Sequence, residues 1–424
     1  VRLSAIGNKM SSLSGLRSIM DDIAASTANS SREWLNLSIG NPAPIPEVVE
    51  YWRALTLTAL DEEPYGSVGG SYGPSRGTPV LIQAVIEYFH DRYGWALRPE
   101  NVIVGPGSQM LCFMAAALFT SESGPGRLVL PMLPDYTGYQ GLCLETDGIV
   151  GVPATIEPVA DRYFRYAIDA AALESRNDIG MLLASSPGNP TGRSLDAGEL
   201  AMLMDVARRR DVPMLLDHAY GDPFPRIGGV LALPPWNSHV LNGFTFSKAG
   251  MPGERIGIVI GPERYVSPMV SFLANSALHA PQLAQAVAAR ALRDGSLDRL
   301  VTDVITPFYA DRRQLVEKLL LDALPADVRW RMHVGDGGMF CWLWIDEEWF
   351  DDSELYVTLK RRGVFVVPGR HFFTPADEGR HSRQCLRISM SGREAVLAEG
   401  IARLAAALRE LRDAPGRATT PLST

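Results

Sequence analysis

Short apolar runs separated by segments of helical period recur along the first two-thirds of this chain, and that alternation restricts the fold more than any other feature. The runs lie at 101–104, 127–131, 180–184, 212–217, 239–244 and 256–260. They are apolar on both sets of alternate positions, as strands are when helices cover the sheet above and below. Helical patterns flank them, at 81–93 before the first and at 196–210 between two of them, where Asp196 and Glu199 have capping-box spacing. The fold class expected is α/β, with a mainly parallel sheet of the seven-stranded type and helices on both faces. A ligand of such a sheet lies beyond the carboxyl ends of the strands.

After residue 281 the pattern changes to long helices at 281–294 and 297–322, then strands at 339–346, 364–367 and 385–389. This reads as a smaller α+β domain, with a turn at Gly335-Asp-Gly-Gly338 and a closing helix from near Arg393. The division expected is 1–45 as an amino-terminal arm with part of the small domain, 46–285 as the large cofactor-binding domain, and 286–412 as the small domain. The last stretch, 413–424, rich in Pro, Thr and Ser, is expected to be disordered. In the arm, Leu13, Leu16, Ile19 and Met20 suit one or two helical turns, and 35–40 reads as a short strand ending at Gly40-Asn-Pro. The glycine-rich stretch 65–79 is a loop whose plain reading is a mobile linker.

Composition narrows the function classes. With 424 residues, 46% of them hydrophobic, the chain can fill a large core. A net charge of −8 without a basic patch argues against nucleic acid as a partner. The longest apolar run, 110–119, is too short for a membrane span, so no membrane association is expected. No secretory signal is recognisable, and the cytoplasm is the expected compartment. Cys112, Cys143, Cys341 and Cys385 are widely spaced within apolar runs, which suits buried thiols better than disulfides or a metal site.

One lysine needs its own explanation. The chain has only four, and Lys9, Lys318 and Lys360 sit among polar or charged neighbours where a solvated face is the default. Lys248 follows a strand in Asn242-Gly-Phe-Thr-Phe-Ser-Lys-Ala-Gly-Met-Pro-Gly-Glu-Arg255. An exposed loop lysine is the ordinary reading. A lysine in a partly dry pocket, however, can lose its proton and form a Schiff base with a carbonyl, the entry to pyridoxal-phosphate chemistry. That cofactor needs an anion cradle, an acid at its pyridine nitrogen, donors at its phenolate oxygen and a flat group against its ring. Gly107, Ser108 and Gln109 open a helix suited to phosphate, and Thr245 and Arg255 add a hydroxyl and a guanidinium. Asp217 ends an apolar strand and could face the pyridine nitrogen, although a strand-end aspartate also serves as a helix cap.

Ser-Pro-Gly-Asn189-Pro-Thr-Gly, Asp217-His-Ala-Tyr220, Thr245-Phe-Ser-Lys248 with Arg255, and Cys385-Leu-Arg387-Ile-Ser occur in this order. Together they resemble the fold-type I pyridoxal-phosphate-dependent aminotransferases. Gly40-Asn-Pro-Ala-Pro-Ile-Pro-Glu, Pro235-Trp-Asn and Val366-Val-Pro-Gly-Arg-His-Phe-Phe look like the valine–pyruvate aminotransferase branch. The resemblance implies that Lys248 carries the cofactor, Asp217 pairs with its pyridine nitrogen, Asn189 and Tyr220 bond its phenolate oxygen, and Tyr136 stacks on its ring. It further implies a homodimer in which Tyr72 reaches the neighbouring subunit's phosphate, and it makes Arg387 the clamp for the substrate α-carboxylate. Gly40 and Asn189 would also face the substrate, and Leu16 and Ile39 its side chain.

The activity implied is transamination between an aliphatic L-amino acid and a 2-oxo acid such as pyruvate. Leu16 has an alternative role in packing the arm, and Arg17 turned inward would favour an acidic donor instead. A lyase or cyclase following the same deprotonation is the competing enzyme reading. A non-catalytic, effector-sensing domain of a transcription regulator is a remote one, since the arm is too short for a helix-turn-helix.

Overall fold

A computed structural model describes residues 2–11, 15–28, 32–62, 64–121, 123–228 and 233–413, without the side chains of residues 16 and 17. Its first sheet has seven strands in the order Val102–Gly105, Gly257–Ile260, Val240–Thr245, Met214–Asp217, Ile179–Ser185, Arg127–Leu133 and Ile149–Pro153. Only Gly257–Ile260 runs antiparallel to its neighbours.

The double-sided apolar pattern has the cause expected of it. Side chains alternate across a strand, so Ile103, Leu215, Leu241 and Val259 join a core with Leu111, Met269 and Leu273 of the helices Ser108–Phe119 and Glu263–Ser276. From the opposite face, Val102, Val104, Phe244 and Ile258 pack with Leu81, Val85 and Phe89 of Pro79–Tyr93 and with Val287 of Gln282–Arg293. A third cluster joins Leu182, Met214 and Leu216 to Leu203 and Val206 of Ala197–Arg210, whose Asp196–Glu199 capping box is formed.

Register brings the strand ends level. Ser185 is opposite Asp217, and Asp217 is opposite Gly243. The loops after these strands therefore open onto one edge of the sheet.

The second sheet has six strands in the order Val367–Pro368, Cys385–Ser389, Phe340–Ile345, Trp330–His333, Tyr163–Ala167 and Thr155–Ala160. The last two form a hairpin that comes from within the stretch 46–285, and Tyr163 pairs with Met332 in parallel. Local periodicity does not disclose this, because Thr155–Ala160 is an edge strand with almost no buried residue.

Several local expectations change. The arm contains a helix at Gly15–Ala28, longer than one or two turns, with Ile19 in the core. The short strand is confined to Leu35–Asn36, which pairs with Val364–Phe365. The glycine-rich loop includes a helical turn at Tyr65–Val68. The helix expected at 297–322 is divided into Ser296–Leu300, a π turn at Val301–Ile305, and Thr306–Ala323. Asp413 closes the final helix instead of starting the tail. Leu13 and residues 414–424 lie outside the described residues. All four cysteines are free and buried, and no helix among the described residues is long and apolar enough to cross a membrane.

Candidate active site

A cavity of about 640 Å³ opens where the carboxyl ends of the first sheet meet the second sheet and the arm. Lys248, just past Val240–Thr245, lines it together with Asp217, Tyr220, Asn189 and Tyr136. Its Nζ donates to the Gly40 carbonyl at 2.7 Å and lies 5.9 Å from the centre of the Tyr220 ring. Burial pulls its pKa down to about 8, the Arg387 and Arg255 charges push the same way, and Asp217 opposes them. Lys248 is thus far more easily uncharged than a solvated lysine.

Asp217 is a buried carboxylate that accepts from the Tyr139 hydroxyl at 2.8 Å and the Ala219 N–H at 3.0 Å. Burial holds its pKa above the ordinary value in spite of these donors. Close by, Asp135 accepts from Ser185 Oγ at 2.6 Å and from the Tyr136 N–H at 2.7 Å. Its carboxyl is pushed up to about 7, again chiefly by burial.

A phosphate-sized anion has a cradle at one end. The helix Ser108–Phe119 begins after Gly107, at φ +89°, without a side-chain cap, and Ser108 and Gln109 line the cavity. Gly107 itself stands behind this lining, where an added Cβ would run into the Arg255 guanidinium. Arg255 Nη1 donates to the Pro252 carbonyl at 3.1 Å. Thr245 Oγ1 accepts from the Ser247 N–H at 3.1 Å and lies 3.0 Å from Ser247 Oγ and 3.2 Å from the Ile256 carbonyl oxygen, so the two hydroxyls stand together at the wall.

At the other end stands Arg387, on Cys385–Ser389. It is 3% exposed, donates from Nη1 to Asn189 Oδ1 at 3.0 Å and from Nη2 to the Ser38 carbonyl at 2.9 Å, and leaves Nε without a partner. Its guanidinium carbon lies 4.0 Å from the centre of the Phe340 ring. Its partners among the described residues are thus neutral, with no carboxylate among them, and burial lowers its pKa to about 10. A buried cation without a counter-ion is costly until an anion arrives.

These residues meet the cofactor's needs: an uncapped helix start with Arg255 and Ser247 for phosphate, a buried acid, a depressed lysine and an aromatic wall. Residues 32–404 match the family described as Aminotransferase class I and II. The chain belongs to that family. It is 31% identical over 390 residues to a valine–pyruvate aminotransferase of Escherichia coli K12, covering 91% of this chain and 93% of that protein. The crystal structure of valine–pyruvate aminotransferase AvtA from Salmonella typhimurium LT2 superposes with a TM-score of 0.85 at 28% identity, over 94% of this chain and all of that one. A solved chain from Psychrobacter arcticum 273-4 gives a TM-score of 0.91 at 30% identity, over 98% of this chain and all of that one. The two sheets are those of an aspartate-aminotransferase-like fold.

Of the residues singled out from the aminotransferase sequence, Ile39, Gly40, Ser108, Gln109, Tyr136, Asn189, Asp217, Tyr220, Thr245, Lys248, Arg255 and Arg387 line the one cavity. Tyr72 does not. It is 87% exposed and sits edge-on to His279. The side chains of Leu16 and Arg17 lie outside the described residues; among the described residues of the arm helix, Met20, Ile23 and Ala24 line the cavity. Tyr139, Ser247 and Phe340 also line it and were not singled out. Tyr139 could have been recognised from its spacing three residues after Tyr136, and Ser247 from its place beside the lysine. Phe340 left no signal, because its position depends on strand pairing between distant segments.

Proposed function

We propose that this aminotransferase uses pyridoxal 5′-phosphate to move the amino group of an aliphatic L-amino acid, of valine or alanine type, to a 2-oxo acid such as pyruvate. The observation that carries the reading is the inventory of charges in the cavity. Lys248, Asp217, Arg255 and Arg387 are the only charged residues among its described lining. Each has a use: Arg255 for the cofactor phosphate, Asp217 for the pyridine nitrogen, Lys248 for the cofactor carbonyl, and Arg387 for the substrate α-carboxylate. Among the described lining no further cation is left for an acidic side chain, the side chain of Arg17 lying outside the described residues, and Met20, Ile23, Ala24 and Ile39 offer an apolar wall. The name of the Escherichia coli relative supports the same donor and acceptor.

When bound, pyridoxal phosphate supplies a sink for the electron pair released at the donor's Cα. Lys248 Nζ is the base that takes the Cα proton, a task suited by its lowered pKa. Asp217 would keep a proton at the pyridine nitrogen, and Tyr136 would stack on the ring. Because Asn189 Oδ1 is engaged by Arg387, its Nδ2 is free to donate to the phenolate oxygen beside the Tyr220 hydroxyl. Arg387 holds the α-carboxylate with the planar two-point geometry that a lysine cannot reproduce.

The active form proposed is a homodimer, with the exposed Tyr72 completing the partner's phosphate site. A fully cofactor-loaded monomer in sedimentation would contradict that part. The donor reading is tested by steady-state turnover with pyruvate and valine, alanine, leucine or aspartate. Aliphatic donors are expected to exceed aspartate in kcat/KM; aspartate as the best donor would refute the reading.

A further inference from the structure

We propose that Arg313 is a positioning residue for the carboxylate end of the active site, acting through the glycine turn 335–338. The proposal rests on the reading above that Arg387 receives the substrate carboxylate.

Arg313 lies on the helix Thr306–Ala323, away from the cavity lining. Among the described residues no carboxylate is in ion-pair reach of it. Its guanidinium is spent on backbone instead: Nη1 donates to the Gly335 carbonyl at 3.0 Å, and Nη2 to the carbonyls of Gly337 at 2.6 Å and Gly338 at 3.3 Å. A turn with glycine at three of four positions has only the Asp336 side chain to help fix it and loses much conformational freedom on ordering. The planar fork of one arginine spans the three carbonyls and fixes them together.

The same turn holds three pieces of the site. The Gly337 N–H donates to the Gly192 carbonyl at 2.7 Å, and Asp336 Oδ1 accepts from the Ser194 N–H at 2.8 Å, which ties in the loop carrying Asn189. The Gly338 N–H donates to the Ile227 carbonyl at 2.8 Å, and the Ile227 N–H donates to the Tyr220 carbonyl at 2.9 Å. Two residues further along is Phe340, whose ring faces the Arg387 guanidinium. The contacts leave no slack: a Cβ at Gly337 would run into Pro187, and one at Gly192 into the Gly337 carbonyl. A shift of this turn therefore moves Asn189 and Phe340, two of the groups that orient Arg387, at once.

The test uses the cofactor-loaded enzyme and isovalerate, a carboxylate with the carbon skeleton of valine and no amine to react. Arg313→Met is expected to raise the calorimetric Kd for isovalerate and the KM for valine by the same factor, on the order of tenfold, with a smaller change in kcat. Arg313→Lys, which keeps the charge and loses the fork, should lie between it and wild type. Arg387→Met is the control. If it leaves isovalerate binding unchanged, the carboxylate reading itself fails. If it weakens binding while the folded Arg313 variants bind like wild type, with or without a lower Tm, the positioning role is overturned. Should Arg313→Met not fold, wild-type Kd and KM in Arg313→Lys overturn it equally.

Discussion

Arg387, in the second sheet, donates from Nη1 to Asn189 Oδ1, 3.0 Å away in the loop that follows a strand of the first sheet. One hydrogen bond thus joins the proposed carboxylate clamp to a proposed cofactor ligand across the junction of the two layers. A substrate bound there as proposed would touch both layers, and the Arg387 charge already helps to lower the pKa of Lys248 on the first layer.

Lys248→Ala is expected to abolish transamination and to remove the borohydride-reducible link between chain and cofactor, while circular dichroism stays that of the wild type. A variant that still turns over or still forms the reducible link would place the chemistry at another amine.

The coupling can be read in the cofactor-free protein. Competitive acylation of Lys248 as a function of pH should give a midpoint near 8, where burial and the two arginine charges hold it. Arg387→Met removes one of those charges, so the midpoint should move up toward the ordinary lysine value. A midpoint that stays put or falls would contradict the coupling.

Asp135 supplies a stability signature of opposite sign. Burial pushes its native carboxyl up to about 7, above its ordinary value of 3.8. Between these values the native state holds a proton that the unfolded chain has released, so this group favours folding at low pH and loses its contribution as pH rises through 7. Asp135→Asn cannot titrate. The difference in unfolding free energy, wild type minus variant, should fall between pH 4 and 7 by at most about 1.4 kcal/mol per pH unit, the limit for one proton. Denaturant titrations of both proteins check this; a flat difference would mean that Asp135 is ionised throughout.

The apolar wall predicts graded selectivity. Ile39→Ala or Ile23→Ala should lower kcat/KM for valine by roughly tenfold, with a smaller loss for alanine, since methylenes fitted in such a pocket are worth about 1–3 kcal/mol. Equal losses for both donors would show that these residues only hold the arm in place.

Strand ends were legible because both their causes are local: a buried parallel strand shows as an apolar run, and the polar residue that follows it marks the opening. Asp217 and Lys248 were singled out that way, whereas Asn189 came from the family resemblance. Lys360 shows where the logic stops. Read as a solvated lysine, it is half-buried and donates to Asp22 of the arm helix at 2.6 Å, beside the Tyr356 hydroxyl that donates to the same carboxylate. Such a contact between residues 22 and 360 has no footprint in local periodicity. Phe340 escaped for a related reason, being placed by pairing between distant strands.

The hairpin Thr155–Ala160 and Tyr163–Ala167 has a consequence for how the molecule is made. The chain leaves the first sheet after Pro153, deposits two strands that belong to the second, and returns to the first at Ile179. During synthesis those two strands emerge long before Trp330–His333, the partner that seats them. Until then their apolar faces, with Phe164 and Tyr166 fully buried in the finished protein, stay without a core. No single cut can separate the layers, and a fragment ending before Trp330 should be the most aggregation-prone version of this chain.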